Sequence, residues 1–401
     1  MKRREFIGKS AFGLFTTGFG LPLLKARPLQ EESPGKIVYR TLGRTNLRIP
    51  IVSFGVMNSD SPDLIQRAMD RGINHLDTAH VYLRGNSERV IGEVVEKTGN
   101  RDDIIIATKM RFARDRQRNV FSQKGTDREP PATQEGLDEQ LALSLKRLRT
   151  DYVDILYLHS CTTPEMVQYE PMMKAFEKVK KQGKTRFIGV SFHSNEPDNI
   201  RAAVDAKIWD VVLVTYNFAQ EHREEIKKAI QYAAQNGVGV IAMKTQGGRR
   251  LQESGEIEVN HKAALKWVLE DENVCTTIPG MTTFDQLDMN LSVMNDLALS
   301  KSESLELNAA ANLKGKLFCQ NCKACIETCS QKVQIPDLMR SYMYAKGYGN
   351  YIQARDTLAD LPSQHGLSQC ISCSSCTASC QTGININTRI NTLIQEKLHI
   401  A

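Results

Sequence analysis

The chain has 401 residues, room for one large domain and a small one, and a formal charge of +6. Lys2, Arg3, Arg4, Lys9 and Lys25 against Glu5 place +4 of that charge at the start, leaving +2 for the rest. Aromatic residues are few and no basic stripe interleaves with them, so no nucleic-acid partner is expected.

The opening Met1-Lys2-Arg3-Arg4-Glu5-Phe6 leads into a weakly apolar stretch over 11–24. Paired arginines with Phe6 two positions beyond resemble a twin-arginine export signal. The apolar run is shorter than the roughly 20 residues of a membrane span. No clear A-x-A site follows, so cleavage near residue 26 and retention as a membrane anchor both stay open. Residues 1–36 are thus expected to be signal and linker of a periplasmic or otherwise exported protein.

Eight short β-rich runs then alternate with amphipathic helical segments. The strands are expected at 51–56, 73–76, 104–109, 153–158, 187–191, 211–215, 238–243 and 276–278. Helices are expected at 63–71, 88–97, 135–148, 170–182, 197–206, 223–236 and 261–270. Near-continuous apolar strands with intervening helices imply a parallel sheet covered on both faces. Eight such units over 37–300 suit an α/β protein with a closed (β/α)8 TIM barrel. An open doubly wound sheet is the alternative, but no G-x-G-x-x-G follows the first strand.

Chemistry in such a barrel sits at the C-terminal ends of the strands. Those ends carry Asp77 and Tyr82, Lys109, His159, Ser191 with His193, Tyr216 with Asn217, and Lys244. Ordered motifs accompany them: Y-R-T-L-G-R-T from Tyr39, D-T-A-x-x-Y from Asp77, A-T-K ending at Lys109, and Y-L-H ending at His159. G-V-S ending at Ser191, Tyr216-Asn217 and I-P-G from Ile278 complete the set. With these, residues 38–300 resemble the aldo-keto reductase family.

The resemblance implies a catalytic tetrad of Asp77, Tyr82, Lys109 and His159. A carbonyl that accepts a hydride becomes an alkoxide and needs a proton as charge develops. Lys109 is expected to lower the pKa of the Tyr82 phenol, Asp77 to hold Lys109 charged, and His159 to orient the carbonyl. The resemblance also implies a nicotinamide cofactor, NADP or NAD. Ser191 would contact its carboxamide, Tyr216 would stack on its ring and Asn290 would meet the adenine. Lys244 would contact a cofactor phosphate or bury its stem at the barrel rim. Several positions depart from the family pattern: Leu213 replaces a glutamine, Phe192 and His193 follow Ser191, and Gly280-Met281-Thr282-Thr283-Phe284-Asp285-Gln286 offers no arginine for a 2′-phosphate. The loop 111–133 mixes charges of both signs and shapes either a pocket or a solvated surface. Cys161 and Cys275 read as buried small hydrophobes. His80 reads as a pocket residue or an ordinary hydrogen-bonded histidine.

The tail, 301–401, carries the sharpest pattern. Cys319, Cys322, Cys325 and Cys329 form C-x2-C-x2-C-x3-C, and Cys370, Cys373, Cys376 and Cys380 repeat it 51 residues later. This run is associated with [4Fe–4S] clusters, and in two-cluster ferredoxins the fourth cysteine ligates the other cluster. Structural zinc and a disulfide framework are the competing readings. The proline that commonly follows the fourth cysteine is Ser330 in one copy and Gln381 in the other, while Val333, Ile335, Ile384 and Ile386 supply apolar residues at matched offsets. The tail resembles the mostly helical ferredoxin-like extension of a subset of the family, which implies two [4Fe–4S] clusters.

The expected function is an oxidoreductase that interconverts a small carbonyl and an alcohol by hydride transfer, with two clusters for electron transfer and a redox partner protein. The alternative is an exported iron–sulfur electron-transfer or binding protein on a barrel that has lost hydride chemistry. A chemical tension attends the first: nicotinamide moves two electrons as hydride, a [4Fe–4S] cluster one at a time, and no flavin motif is found.

Overall fold

A computed structural model describes residues 36–115, 118–247, 259–312 and 319–398. The twin-arginine segment and Arg116 lie outside the described residues. From Gly35 onward the chain forms one compact unit.

A two-stranded antiparallel hairpin comes first, β1 (Tyr39–Thr41) with β2 (Arg48–Pro50). The barrel strands follow: β3 (Phe54–Gly55), β4 (His75–Asp77), β5 (Ile105–Met110), then a small antiparallel pair β6 (Arg114–Asp115) and β7 (Val120–Phe121). Next come β8 (Val153–Cys161), β9 (Thr185–Phe192), β10 (Val211–Thr215), β11 (Gly239–Met243) and β12 (Thr276–Thr277). The eight barrel strands are parallel in the order β3-β4-β5-β8-β9-β10-β11-β12. Parallel bridges Val52–Thr277 and Gly55–Gly280 join the first strand to the last, so the sheet closes into a (β/α)8 barrel.

Helices cover the outside. Their starts follow local chemistry: Ser61, Thr133, Asn260 and Thr283 each accept a backbone N–H with the side chain at the N-cap. Alternation along β10 divides the core. Val212 and Val214 pack outward against the helices, while Val211 and Leu213 point into the barrel with Ile155, Tyr157 and Ile241.

The hairpin closes the N-terminal end of the barrel. Leu42 is fully buried among the inward residues. Gly43 has φ +49, and a Cβ there would lie 2.4 Å from the backbone nitrogen of Gly239. No other residue fits that contact.

Helix Lys301–Asn312 packs on the barrel, with Leu307 and Ala310 against Phe218, Ala263 and Ala264. The cysteine-rich segment has its own apolar core, in which Val333, Ile335, Ile384 and Ile386 are all buried. Its helices Ile335–Tyr342 and Tyr351–Ala359 flank a π-helical turn, Met343–Gly347. This segment does not hang free as a tail: it lies across the C-terminal mouth of the barrel. The contacts are polar. Arg111 pairs with Glu129 and with Asp360, Arg84 reaches Asp356 at 3.0 Å, Lys323 donates to Asn119 at 2.6 Å, and Asn350 donates to Asn58 at 2.7 Å.

Gly43→Ala is expected to lower the unfolding free energy by at least about 2 kcal/mol, from the left-handed φ together with the clash. Urea unfolding followed by tryptophan fluorescence measures it, and an unchanged midpoint would contradict the hairpin's role as the barrel's bottom seal.

Candidate active site and cysteine centres

The mouth of the barrel holds a cleft with about 1620 Å³ of space open to solvent. Asp77, Tyr82 and His159 line it. Lys109 lies beneath, 1% exposed, paired with Asp77 and donating to the Thr78 carbonyl at 2.7 Å. Its ammonium is 5.1 Å from the centre of the Tyr82 ring. The Tyr82 and His159 rings meet edge-on at 5.9 Å. The four tetrad positions therefore come together at the ends of β4, β5 and β8 and in the turn after β4.

Strained backbone presents two of them. Tyr82 is followed by three left-handed residues, Leu83, Arg84 and Gly85. Arg147 fixes that turn by donating to the His80 carbonyl at 3.0 Å and to buried Glu88 at 3.2 Å. After His159 the strand bulges at Ser160, whose φ is +61, and the Ser160 N–H donates to the Ser191 hydroxyl at 2.9 Å. Such outliers persist only where neighbours over-determine them, and they gather at functional sites.

Electrostatics departs from the sequence expectation at Tyr82. Burial, then Asp77 and Tyr344, push the phenol well above its ordinary value. Lys109 is neutralised by its own carboxylate, so it does not pull the phenol down in this arrangement. Tyr82 is a protonated hydrogen-bond donor. Burial also draws Lys109 down and Asp77 up, and their mutual contact opposes both shifts. Burial first, then Lys109 and Arg111, holds His159 well below the usual imidazole range, so its ring is neutral at physiological pH. Its Nδ1 has no partner.

The four expected nicotinamide contacts divide. Lys244 and Asn290 line the cleft, Asn290 accepting from Gln246 at 2.9 Å. Ser191 and Tyr216 do not line it: Ser191 is spent on Ser160, and Tyr216 turns outward with Val212 and Val214, its ring 5.0 Å from Trp267. The cleft wall near the strand ends is instead His193 and Met243. Strand alternation could have shown this, since Thr215 shares the inward face of Leu213 and Tyr216 does not. His80 donates from Nδ1 to the Lys109 carbonyl, 2.8 Å away, and Cys161 and Cys275 are buried. The loop 111–133 reaches the cleft through Arg111 and Arg114. Arg340, Tyr344 and Tyr348 of the C-terminal segment also line the cleft, which no strand-end reading could find.

None of the ten cysteines forms a disulfide. The quartets exchange their fourth members. Cys319 and Cys325 share their surroundings with Cys322 and with Cys380, whereas Cys370 has Cys373, Cys376 and Cys329. Antiparallel contact between the stretches before the fourth cysteines causes the exchange: the Ser330 N–H donates to Thr377 at 3.0 Å and the Ser379 N–H to Thr328 at 2.9 Å. Donors already point at sulfur, Asn321 N–H at Cys319 at 3.3 Å. At Cys380 burial is outweighed by Thr382 and the backbone N–H groups of Ile384 and Gly383, which lower the thiol's pKa. Among the described residues no three donors converge on a single-ion site. Three-plus-one sets of thiols spread around a volume suit the corners of an iron–sulfur cube.

A barrel with this mouth and a dicluster cysteine segment defines a barrel oxidoreductase joined to an iron–sulfur domain. Residues 53–263 match the aldo/keto reductase family and residues 318–384 the 4Fe-4S dicluster domain. The chain belongs to the aldo/keto reductase family. It is similar to L-galactose dehydrogenase of Arabidopsis thaliana, 27% identical over 65% of this chain and 89% of that protein. It is 24% identical to L-glyceraldehyde 3-phosphate reductase of Escherichia coli over 69% of this chain and 93% of that one. Among solved structures, an aldo-keto reductase from Bacillus halodurans in its holo form is similar, with TM-score 0.56 and 25% identity over 68% of this chain and 96% of that chain.

His75 and His80 have pKa values pushed down to about 4, chiefly by burial. In the unfolded chain they titrate near about 6.5, so between those values the unfolded state binds more protons. Stability is therefore full above about 6.5 and falls as pH drops toward about 4, by about 1.4 kcal/mol per pH unit for each histidine. Urea unfolding at several pH values measures the slope, and His80→Asn should remove about one histidine's share; an unaltered slope would contradict the assignment.

Proposed function

We propose that the protein interconverts a small carbonyl compound and its alcohol, with Tyr82 as proton donor and acceptor at the reacting oxygen. The convergence of Tyr82, Lys109, Asp77 and His159 at the cleft floor carries this reading. A bound nicotinamide would supply or take the hydride. Gln286, Asn290 and Gln246, at the cleft end by helix Phe284–Ser292, would hold its adenine side.

The protein's own residues then do the rest. Neutral His159 donates a hydrogen bond to the carbonyl oxygen and fixes its direction. The protonated Tyr82 donates a second bond and gives up its proton as negative charge grows on that oxygen. An alkoxide is a stronger base than a phenolate, so a phenol of raised pKa still transfers the proton downhill. Lys109, 5.1 Å from the centre of the ring and tied to Asp77, holds the floor beneath the phenol in place.

We further propose two [4Fe–4S] clusters, one on Cys319, Cys322, Cys325 and Cys380 and the other on Cys370, Cys373, Cys376 and Cys329. Each cluster would carry one electron at a time. Cys319 lies close enough to Lys244 and Arg340 for their charges to interact, which puts the first set beside the cleft. The partner is a protein that exchanges single electrons. Export by the twin-arginine route belongs to the same reading, because that route carries folded, cofactor-loaded proteins. No helix among the described residues is long and apolar enough to cross a membrane. One observation favours the second reading, an electron-transfer or binding protein without hydride chemistry: Ser191 and Tyr216 do not face the cleft.

Tyr82→Phe is expected to lower kcat by about 10²-fold or more while dinucleotide binding stays unchanged. Full activity in that variant, measured with a panel of small aldehydes and alcohols, would remove the mechanism. Cys380→Ser should damage the cluster of the first triplet and Cys329→Ser that of the second, as read by iron content and paramagnetic resonance. Damage to each cysteine's own quartet would contradict the exchange.

A further inference from the structure

The cleft is walled on one side by barrel residues and on the other by the C-terminal segment, and the two sides bring unpartnered cations together. Arg340 stands on helix Ile335–Tyr342, just before the π-helical turn that carries Tyr344 onto the same wall. Lys244 follows β11 on the opposite side, with φ +55. Neither side chain has a hydrogen bond or an ion pair among the described residues. Burial, then Arg340, draws the Lys244 ammonium down to about 7, so the two cations lie within reach of each other's charge. His193, which also feels both, is buried on the same wall with Nδ1 unpartnered.

The acidic residues of the cleft do not answer this charge. Asp77 is tied to Lys109 and Asp360 to Arg111, which leaves the single carboxylate of Asp337 in the cleft against two cations. Glu196 and Cys319 raise the pKa of Lys244, but Glu196 bonds to His222 at 2.9 Å, and Cys319 belongs to a cysteine centre. Two like charges in a part-buried cleft repel and are poorly solvated, and an oxyanion between them relieves both costs. A guanidinium opposite an ammonium, with an imidazole nitrogen beside them, is a donor set for carboxylate or phosphate.

We propose that Arg340, supplied by the iron–sulfur segment, and Lys244, supplied by the barrel, bind an anionic group, carboxylate or phosphate, on the substrate whose carbonyl or alcohol lies at Tyr82 and His159. The inference rests on the functional reading above and narrows its substrate class to oxo- or hydroxy-acids and phosphorylated carbonyl compounds. It also gives the C-terminal segment a direct part in substrate choice, so that the barrel alone has an incomplete pocket.

Calorimetric titration of the cluster-loaded full-length protein with D-glucuronate, D-glucose 6-phosphate and D-glucose tests it without requiring turnover. At least one acid should bind about ten-fold or more tightly than glucose, the preferred one naming the group as carboxylate or phosphate. Arg340→Gln should abolish that preference and Arg340→Lys restore part of it, with iron content and visible absorbance unchanged. Lys244→Gln, on the barrel side, should act alike, and it decides the matter if Arg340→Gln fails to retain iron. The proposal is overturned if neither acid outbinds glucose, or if the preference survives these changes. It is equally overturned if Arg340→Gln weakens only NADH or NADPH binding, which assigns the cations to cofactor phosphate, or shifts only the cluster potential. Acid binding that depends on Arg340 without any carbonyl turnover would leave this site standing and remove the hydride reading.

Discussion

The architecture of the active site turns on one mostly buried guanidinium. Arg111 lies two residues beyond Lys109, where β5 leaves the barrel, and it pairs with Glu129 of the following loop and with Asp360 of the C-terminal segment. Burial opposes its charge, yet the two carboxylates outweigh burial and raise its pKa. Removing it would leave two mostly buried carboxylates facing each other, a loss of the order of 3–5 kcal/mol. Because Arg111 and Lys109 share a strand end, the backbone that fixes the ammonium at the cleft floor also fixes the roof above it.

Around that anchor the backbone stores strain where function needs side chains re-aimed. Leu83, Arg84, Ser160 and Lys244 are left-handed without being glycine, and all lie at the mouth. Each is held from outside: the Tyr82 turn by Arg147, the bulge after His159 by Ser191, and the Lys244 carbonyl by Asn217 at 3.2 Å. Ser191 is thus a positioning residue for the strand end that carries His159. The strict in-and-out alternation of a strand could not turn consecutive residues toward the cleft without such breaks.

What the sequence discloses and what it hides follow from range. The barrel was legible because every unit repeats the same local grammar, and β10 falls at 211–215, where the apolar run places it. The tetrad was legible because strand ends point one way in a parallel barrel. The cysteine sets were legible as spacing, and their exchange follows from how such repeats fold. Tyr216 lies one step past its strand, where the face changes with each position, and it packs against Trp267. The lowered phenol was expected from the Lys109 ammonium that Asp77 holds charged, but burial and the Asp77 carboxylate itself push Tyr82 the other way. Arg340 and Tyr344 were hidden for a different reason. They lie more than 200 residues from Tyr82 in sequence and reach the cleft only because the tail docks, which no local pattern encodes.

Apart from Arg111, the joining ion pairs lie at the surface: Arg84 with Asp356 is 66% exposed on the arginine side, and Arg128 meets the same aspartate at 3.5 Å. Exposed pairs of this kind contribute between about 0 and 1 kcal/mol each and weaken with salt. The roof is therefore held by one strong buried contact beside Lys109 and by weak ones along the rim. A polar interface of this kind yields more readily than an apolar one. The same polar rim keeps the cysteine-rich segment from needing a large apolar surface of its own, since its core is already closed by Leu338, Met339 and Leu393. Cluster chemistry and carbonyl chemistry are thereby kept in separate cores, joined at a shared wall rather than through a common interior.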